Sequence, residues 1–231
     1  MRNITKRRRA MMASSSNGRL PIGFKEVEWL QGTGSQYCLT DIYPISDHSN
    51  YTCIKGDVVL LDKNNSRFQI STLWLESGST QYYEVNYLQI APTGNSRIFT
   101  FKYGAGYAYK LEVELNNYVF PLDAHYEINK NNAIFNQTSY TKGASQWSAT
   151  KPLIIGGYYS SSNSDTVIVR NTQSRLKTFK IYNNDTLIYE IVPCYRTSDN
   201  KTGFMKITVA DGSTTFFPNM ATDEWIIGSV V

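Results

Sequence analysis

The sequence is poor in the residue types from which catalytic and metal sites are usually built. It has 3 cysteines and 2 histidines among 231 residues. Cys38, Cys53 and Cys194 lie far apart, a spacing that fits neither a disulfide framework nor a zinc site. No apolar run is long enough to span a membrane, and the run at 10–13 is too short for a signal peptide. From the cysteine spacing we expect buried free thiols. From the short apolar run we expect a chain that begins at Met1 and is not exported by a signal peptide.

Charge is also scarce and unevenly distributed. Charged residues make up 18% of the chain, and residues 1–19 contain six basic residues and no acidic one. The rest of the chain has 17 basic and 19 acidic residues, a net charge of −2. This distribution predicts a near-neutral body with a basic tip, which argues against a nucleic-acid-binding surface on the body.

Aromatic residues and short strand patterns are abundant. The 17 Tyr, 10 Phe and 4 Trp can line a sizeable core with rings. Between Tyr109 and Leu115, apolar residues alternate with Lys110, Glu112 and Glu114, as in a strand with one buried face. Similar short apolar runs occur at 51–61, 68–75, 82–90, 98–103, 153–155, 167–169 and 204–209.

Turn residues separate these runs. The sequence Asn183-Asn184-Asp185 separates two apolar runs, and Asp211-Gly212 separates two more, as expected for β-hairpins. No segment has convincing helical periodicity. The sequence therefore predicts an all-β, two-sheet antiparallel fold, either a sandwich or a barrel.

Two stretches of sequence carry a resemblance to a known family. The stretch 28–37, EWLQGTGSQY, is followed by TDIYP at 40–44, and near the C-terminus FKIYNNDTL at 179–187 is followed by VPCYR at 192–196. These stretches resemble laminin-G-like, concanavalin A-like domains encoded by gut bacteria and their tailed phages. The resemblance implies a concanavalin A-like jelly-roll sandwich over residues 25–231, behind a basic arm over residues 1–24.

The same resemblance implies a place in phage fibres, capsid decorations or cell-surface modules. Together with the basic arm, it favours a non-enzymatic virion structural protein of a tailed phage, for example a crAss-like phage, assembled in the bacterial host cytoplasm. Its expected role is that of a head fibre, a capsid decoration or a fibre-base component, and we expect a homo-oligomer. No membrane association is expected.

The arm has a composition that cannot fold alone. It could contact nucleic acid, attach to a protein surface, or act as a solvated tail; docking onto another virion protein, a capsid protein or the fibre base, is favoured over DNA contact. The anchoring residues expected in the arm are Arg2, Ile4, Lys6, Arg7, Arg8, Arg9, Met11 and Met12.

An alternative function is a carbohydrate-binding module for bacterial capsule or mucin glycans. Sugar binding needs aromatic platforms beside amides and hydroxyls, and loop-like segments of the sequence combine these groups. The candidate glycan-binding residues are Tyr103, Tyr107, Trp147, Tyr158 and Tyr159.

Catalysis has little support in the sequence, so no enzyme activity is expected. His48 and His125 both lie in polar, loop-like contexts. Glu112 and Glu114 have the alternate spacing of a glycosidase carboxylate pair, but their apolar neighbours place both on the solvent face, and a hydrolase is the least favoured hypothesis.

No cofactor or metal site is predicted, because phosphate-binding loops and clustered metal ligands are absent from the sequence. Calcium binding has weak support, since the laminin-G-like resemblance implies sites built from one aspartate and backbone carbonyls. Asp41, Asp57 and Asp165 are the candidate ligands, and a solvated turn carboxylate is the favoured interpretation of each.

Overall fold

A computed structural model describes residues 19–75, 82–93, 96–102, 110–115, 117–141, 146–160 and 165–231. These residues form an all-β, antiparallel fold, as the alternation and turn patterns predict. None of the described residues forms a helix long and apolar enough to cross a membrane.

The described residues form 21 strands. In chain order they are β1 Phe24–Glu26, β2 Leu30–Thr33, β3 Cys38–Leu39, β4 Ile45–Ser46, β5 Thr52–Leu60, β6 Arg67–Leu75, β7 Tyr82–Thr93, β8 Ser96–Lys102, β9 Lys110–Glu114, β10 Leu122–Ile128, β11 Asn132–Phe135, β12 Thr138–Thr141, β13 Trp147–Ser148, β14 Ile154–Ile155, β15 Gly157–Tyr159, β16 Val167–Val169, β17 Asn171–Asn183, β18 Thr186–Arg196, β19 Thr202–Thr208, β20 Thr214–Pro218 and β21 Ile226–Ile227.

One layer of the sandwich is centred on β5 and β17. β5 pairs with β17 along one edge and with β10 along the other. β10 pairs in turn with β11, and β11 with β12. The first half of β17 also pairs with β2, which continues to β21, and the second half pairs with β18. In this register His125 lies opposite Asp57, and Glu127 lies opposite Lys55. The cross-strand neighbours on the outer face of this layer are therefore mostly charged.

The other layer contains β19, β20, β3, β14 and β6 to β9. A bridge from Cys38 to Asn219 connects β3 to the chain just after β20, and β14 joins β3 to β6. The strands from β6 to β9 pair in sequence order. Hydrogen bonding passes between the layers through β18, which pairs with both β17 and β19, and through the start of β17, which pairs with β6.

The main core lies between these two layers and is rich in rings. Tyr126 and Phe135 from the first layer belong to the same buried cluster as Phe68 from the second. The rings of Phe179 and Phe204, one from each layer, meet edge to face with centroids 6.3 Å apart. Aromatic packing of this kind stabilises the sandwich beyond the burial of apolar area alone.

A smaller core covers the outer side of β18 and β19. Leu20 is buried there against Val192, Cys194 and Met205. Arg19 is also held against the sandwich, through Glu26 at 2.6 Å and Glu190 at 2.8 Å. Residues 19–24, assigned to the arm from the sequence, thus already contact the folded domain.

The predicted hairpins are confirmed. Tyr182 pairs with Leu187 across the first turn, and Ile207 pairs with Thr214 across the second. Asn184 and Gly212 adopt the left-handed conformation, with φ of 53° and 71°, which Asn and Gly tolerate best. All three cysteines are buried and free, as expected.

Candidate functional site: a polar cleft on the outer sheet face

The outer face of the first layer carries an array of charged side chains. Strand alternation points Asp123, His125 and Glu127 of β10 outward, while the residues between them are buried. The same alternation exposes Lys55 and Asp57 on β5. Because β5 lies between β10 and β17, the array extends across three neighbouring strands.

His125 lies at the centre of the array, between two carboxylates. Its Nδ1 is 2.9 Å from Asp57 Oδ1, and its Nε2 is 3.2 Å from Glu127 Oε1. Lys55 Nζ approaches the other oxygen of Glu127 at 2.8 Å. Both imidazole nitrogens are therefore held by acceptors, which fixes the plane of the ring.

The surroundings shift the pKa of His125 and Glu127 in opposite directions. Partial burial lowers the pKa of His125, but its hydrogen bonds to Asp57 and Glu127 outweigh that effect and raise it above the ordinary value. Partial burial raises the pKa of Glu127, but hydrogen bonds from Lys55 and His125 outweigh it and lower the pKa. The pair thus favours a charged imidazolium beside a charged carboxylate.

A second set of contacts extends the array toward β2. Lys177 Nζ donates to Asp123 Oδ2 at 2.9 Å. Arg175 Nε donates to Gln31 Oε1 at 3.0 Å, and the Arg175 guanidinium lies 4.0 Å from the ring centroid of Trp29. At this distance the cation and the indole ring attract each other, so Trp29 and Gln31 together hold the Arg175 side chain in place.

Two adjoining depressions follow the array, and together we call them the outer-face cleft. They have volumes of about 600 Å³ and 470 Å³ and share Asp57 and Lys177. The first is also lined by Glu26, Val27, Glu28, Trp29, Val59, Arg175, Thr178 and Val231, and the second by Asp123, His125, Asn136 and Gln137.

The hairpin turn between β11 and β12 forms one wall of the cleft. Asn136 and Gln137 both have positive φ, 46° and 71°, as a two-residue turn between paired strands requires. Asn136 Oδ1 accepts a hydrogen bond from the backbone N–H of His125 at 2.8 Å. Glycine is the usual residue at the second position of such a turn, so Gln137 introduces backbone strain at the rim of the cleft.

Hydrogen-bonding side chains make up most of the described lining of the cleft. A glycosidase needs a carboxylic acid with a raised pKa, whereas the pKa of Glu127 is lowered. Burial raises the pKa of the Cys194 thiol to about 12 and that of Cys38 further, so neither supplies a thiolate at neutral pH. The described residues hold no cluster of three or more histidine, cysteine or carboxylate side chains able to bind a metal ion.

The structure places the predicted glycan-binding residues differently from the sequence-based hypothesis. Trp147 and Tyr159 are 3% and 6% exposed. Trp147 packs in the main core and Tyr159 in a separate buried cluster with Leu73 and Ile154, so neither ring offers a face to a sugar. Tyr158 is half-buried beside Arg170, whose guanidinium lies 4.9 Å from the ring centroid. Tyr103 and Tyr107 lie outside the described residues, as do the arm residues at 1–18.

The predicted carboxylate pair is placed as the alternation indicates. Glu112 and Glu114 are exposed on β9, while Val113 between them is buried. β9 pairs with β8 and lies apart from the cleft.

The three aspartates considered for calcium do not come together. Asp41 binds Lys206 at 2.5 Å, Asp57 contacts His125, and Asp165 binds Lys151 at 2.5 Å. Each therefore has a basic partner of its own in a different part of the sandwich.

Sequence reasoning missed the residues of the cleft. His125 lies on β10 and not in a loop, which corrects the loop-like context inferred from the sequence. The signal was present in the alternation Asp123-Ala124-His125-Tyr126-Glu127, which has the period of a strand. The sequence alone did not indicate a site at Asp123, His125 and Glu127, because their partners Asp57 and Lys177 are distant in sequence.

Comparisons with known proteins add little. No family model and no curated protein matches the chain. Among solved structures, domains LG4-5 of the mouse laminin alpha1 chain are similar, with 13% identity and a TM-score of 0.37 over 75% of this chain and 44% of that chain. The chain thus spans less than half the length of that laminin structure, and a similarity this low carries no argument about function.

Proposed function

We propose that the protein is a non-enzymatic carbohydrate-binding protein and that the outer-face cleft is its ligand site. The observation that supports this proposal best is the hydrogen-bonded array of His125, Asp57, Lys177 and Asp123 along an open cleft beside Trp29. Sugar hydroxyls both donate and accept hydrogen bonds, and the cleft presents charged donors and acceptors side by side.

The pairing inside the array serves recognition as well as stability. Asp57 uses one oxygen for His125, and its side chain remains 48% exposed. Lys177 and Asp123 hold each other at the surface, with side chains 34% and 64% exposed. Held in this way, the groups lose little conformational freedom when a ligand hydroxyl replaces water.

An apolar strip lies next to the polar array. Trp29 is half-buried, and Val59 lines the same depression. The C–H faces of a sugar ring pack on apolar surface, while the hydroxyls at its edge reach the charged groups. The cleft offers both types of contact within a single open surface.

The test is a glycan array probed with the intact protein and with Asp57→Asn. We expect the variant to lose at least about tenfold in affinity for the glycans that bind, because it removes a charged acceptor and loosens His125. Asp41→Asn is the matched control, because Asp41 is 51% exposed and also pairs with one basic residue, outside the cleft. Absence of glycan binding, or equal binding by both variants, would contradict the proposal.

The virion role inferred from the sequence remains a separate hypothesis. It concerns residues 1–18, which lie outside the described residues. The structure describes only the point where the arm joins the sandwich, at which Arg19 pairs with Glu26 and Glu190. In this hypothesis the arm docks the sandwich onto a capsid or fibre-base protein, and the cleft faces cell-surface or mucin glycans.

A further inference from the structure

The imidazole ring of His125 contacts two carboxylates at once. Its Nδ1 faces Asp57 Oδ1 at 2.9 Å and its Nε2 faces Glu127 Oε1 at 3.2 Å. A charged carboxylate only accepts hydrogen bonds, so both contacts are hydrogen bonds only when both ring nitrogens carry a proton. The imidazolium meets this condition, and neither neutral tautomer does.

The neutral ring cannot keep this arrangement. It carries a single N–H, so its other nitrogen directs a lone pair at a carboxylate oxygen no more than 3.2 Å away. Two acceptors at that distance repel each other, so the ring turns or the carboxylate moves. Loss of one proton therefore breaks one of the two contacts.

The two carboxylates differ in what else holds them. Glu127 also pairs with Lys55 through its second oxygen, at 2.8 Å. Over the described ranges of the chain, the contact with His125 is the only ion pair that Asp57 makes. Asp57 lines both depressions of the outer-face cleft, whereas Glu127 lines neither. A carboxylate in the cleft thus depends on the His125 ring for its position.

The other groups around the ring leave His125 as the group that titrates near neutral pH. The charged residues that face it on β5, β10 and β17 are Lys55, Asp57, Asp123, Glu127 and Lys177. Lys177 and Asp123 pair with each other at 2.9 Å, and the hairpin turn at 136–137 adds no charge. Among these residue types, only histidine has an ordinary pKa, about 6.5, between about pH 5.5 and pH 8.5.

We propose that proton binding by His125 regulates the outer-face cleft, so that the imidazolium form binds glycan more tightly than the neutral form. This rests on the proposed function, because it concerns the same site. In the charged form Asp57 is held in place, and its side chain, 48% exposed, can accept from a ligand hydroxyl at little cost in conformational freedom. In the neutral form the ring or the carboxylate has moved, and a ligand must restore the arrangement.

Thermodynamic linkage gives the proposal a second, reciprocal consequence. If protonation strengthens glycan binding, bound glycan must strengthen protonation by the same factor. The pKa of His125, already raised in the free protein, must therefore rise further in the complex.

The first test is isothermal titration calorimetry of the full chain at about pH 5.5 and about pH 8.5. The probe is the uncharged oligosaccharide that gives the strongest signal on the glycan array at about pH 5.5. Because this probe does not titrate in that range, any pH dependence comes from the protein. We expect the affinity to be at least about fivefold lower at the higher pH, which is the lower end of the usual range for coupled equilibria.

A histidine variant and its control assign the effect. His125→Gln should bind the probe with the same affinity at both pH values, because the amide does not titrate. His48→Gln is the matched control, since His48 is the only other histidine, is exposed, and contacts Gln146 outside the cleft. It should keep the full pH dependence of the parent protein.

The second test needs no variant. NMR titration of the two histidine rings in the parent protein, with and without saturating probe, measures the linkage directly. The pKa of His125 should be higher in the complex by the logarithm of the same factor, about 0.7 for a fivefold effect, while the titration of the His48 ring should not change.

Two results would overturn the proposal. One is an affinity of the parent protein that is equal at both pH values or higher at about pH 8.5. The other is a pH dependence that persists in His125→Gln, with the pKa of His125 unchanged by the probe. Binding that ignores pH but is still lost on Asp57→Asn would remove this proposal and spare the proposed function. Absence of glycan binding at either pH would remove both.

Discussion

At the scale of single residues, the protonation of His125 in the outer-face cleft makes the stability of the fold depend on pH. Its pKa is raised in the folded protein, so its charged form stabilises the fold. That contribution is complete below the ordinary histidine pKa of about 6.5 and is lost as the pH rises through the raised value. The lowered pKa of Glu127 acts at the acid end, where its contribution is lost as the pH falls through its folded value.

We therefore expect His125→Gln to destabilise the protein more at about pH 5.5 than at about pH 8.5. Chemical denaturation at the two pH values measures the difference. Because the excess comes from Asp57 and Glu127, it should vanish when the same substitution is made in an Asp57→Asn, Glu127→Gln background. An equal loss of stability at both pH values in the parent background would refute this account.

At the scale of elements, the turn between β11 and β12 combines strain with a place in the cleft. We expect Gln137→Gly to stabilise the protein by about 1 kcal/mol, because glycine adopts the positive φ of 71° without steric cost. The same change removes a polar side chain that lines the cleft and should weaken glycan binding. Thermal unfolding and glycan titration measure the two effects.

Asn184→Gly is the contrasting control for that turn. Asn184 also has a positive φ, 53°, but its Oδ1 accepts from the N–H of Tyr51 at 3.0 Å and its Nδ2 donates to the carbonyl of Ser49 at 2.9 Å. Its replacement should therefore destabilise the protein. If Gln137→Gly is also destabilising, the turn is not strained as described.

Elements with local signals were predictable from the sequence, and elements defined by distant pairing were not. Turn residues predict the hairpin at Asn184 because the backbone conformation of the turn depends on only one or two residues. The first half of β17, by contrast, has the polar sequence Asn171 to Arg175 and forms a strand through its pairing with β2, β5 and β6. The prediction that Trp147 binds glycan was wrong for the same reason. Its polar neighbours suggested a loop, but β13 pairs with β4 and the ring is buried.

The candidate site depended on the same long-range register. Alternation alone shows that Asp123, His125 and Glu127 share a face, but the pairing of β10 with β5 is needed to bring Asp57 to His125. Arg175 and Trp29 are 146 positions apart in the sequence and meet only through the pairing of β17 with β2. No local pattern contains that information.

At the scale of the whole molecule, charge is divided between a basic arm and a nearly neutral body. Removal of residues 1–18 should leave the sandwich folded, because the ion pairs of Arg19 and the burial of Leu20 are retained. If the arm is an anchor, the truncated protein should fail to enter phage particles assembled in the bacterial host while still binding glycans. Normal incorporation would contradict the anchoring hypothesis.

The central claim is that the outer-face cleft binds glycan, and the most direct measurement is NMR mapping of backbone amide shifts during titration with a glycan selected on the array. We predict that the largest shifts fall on Asp57, on 123–127, on Asn136 and Gln137, and on 175–177, and that Asp57→Asn abolishes them. Shifts confined to residues outside the cleft, with the amides of β5 and β10 unmoved, would contradict it.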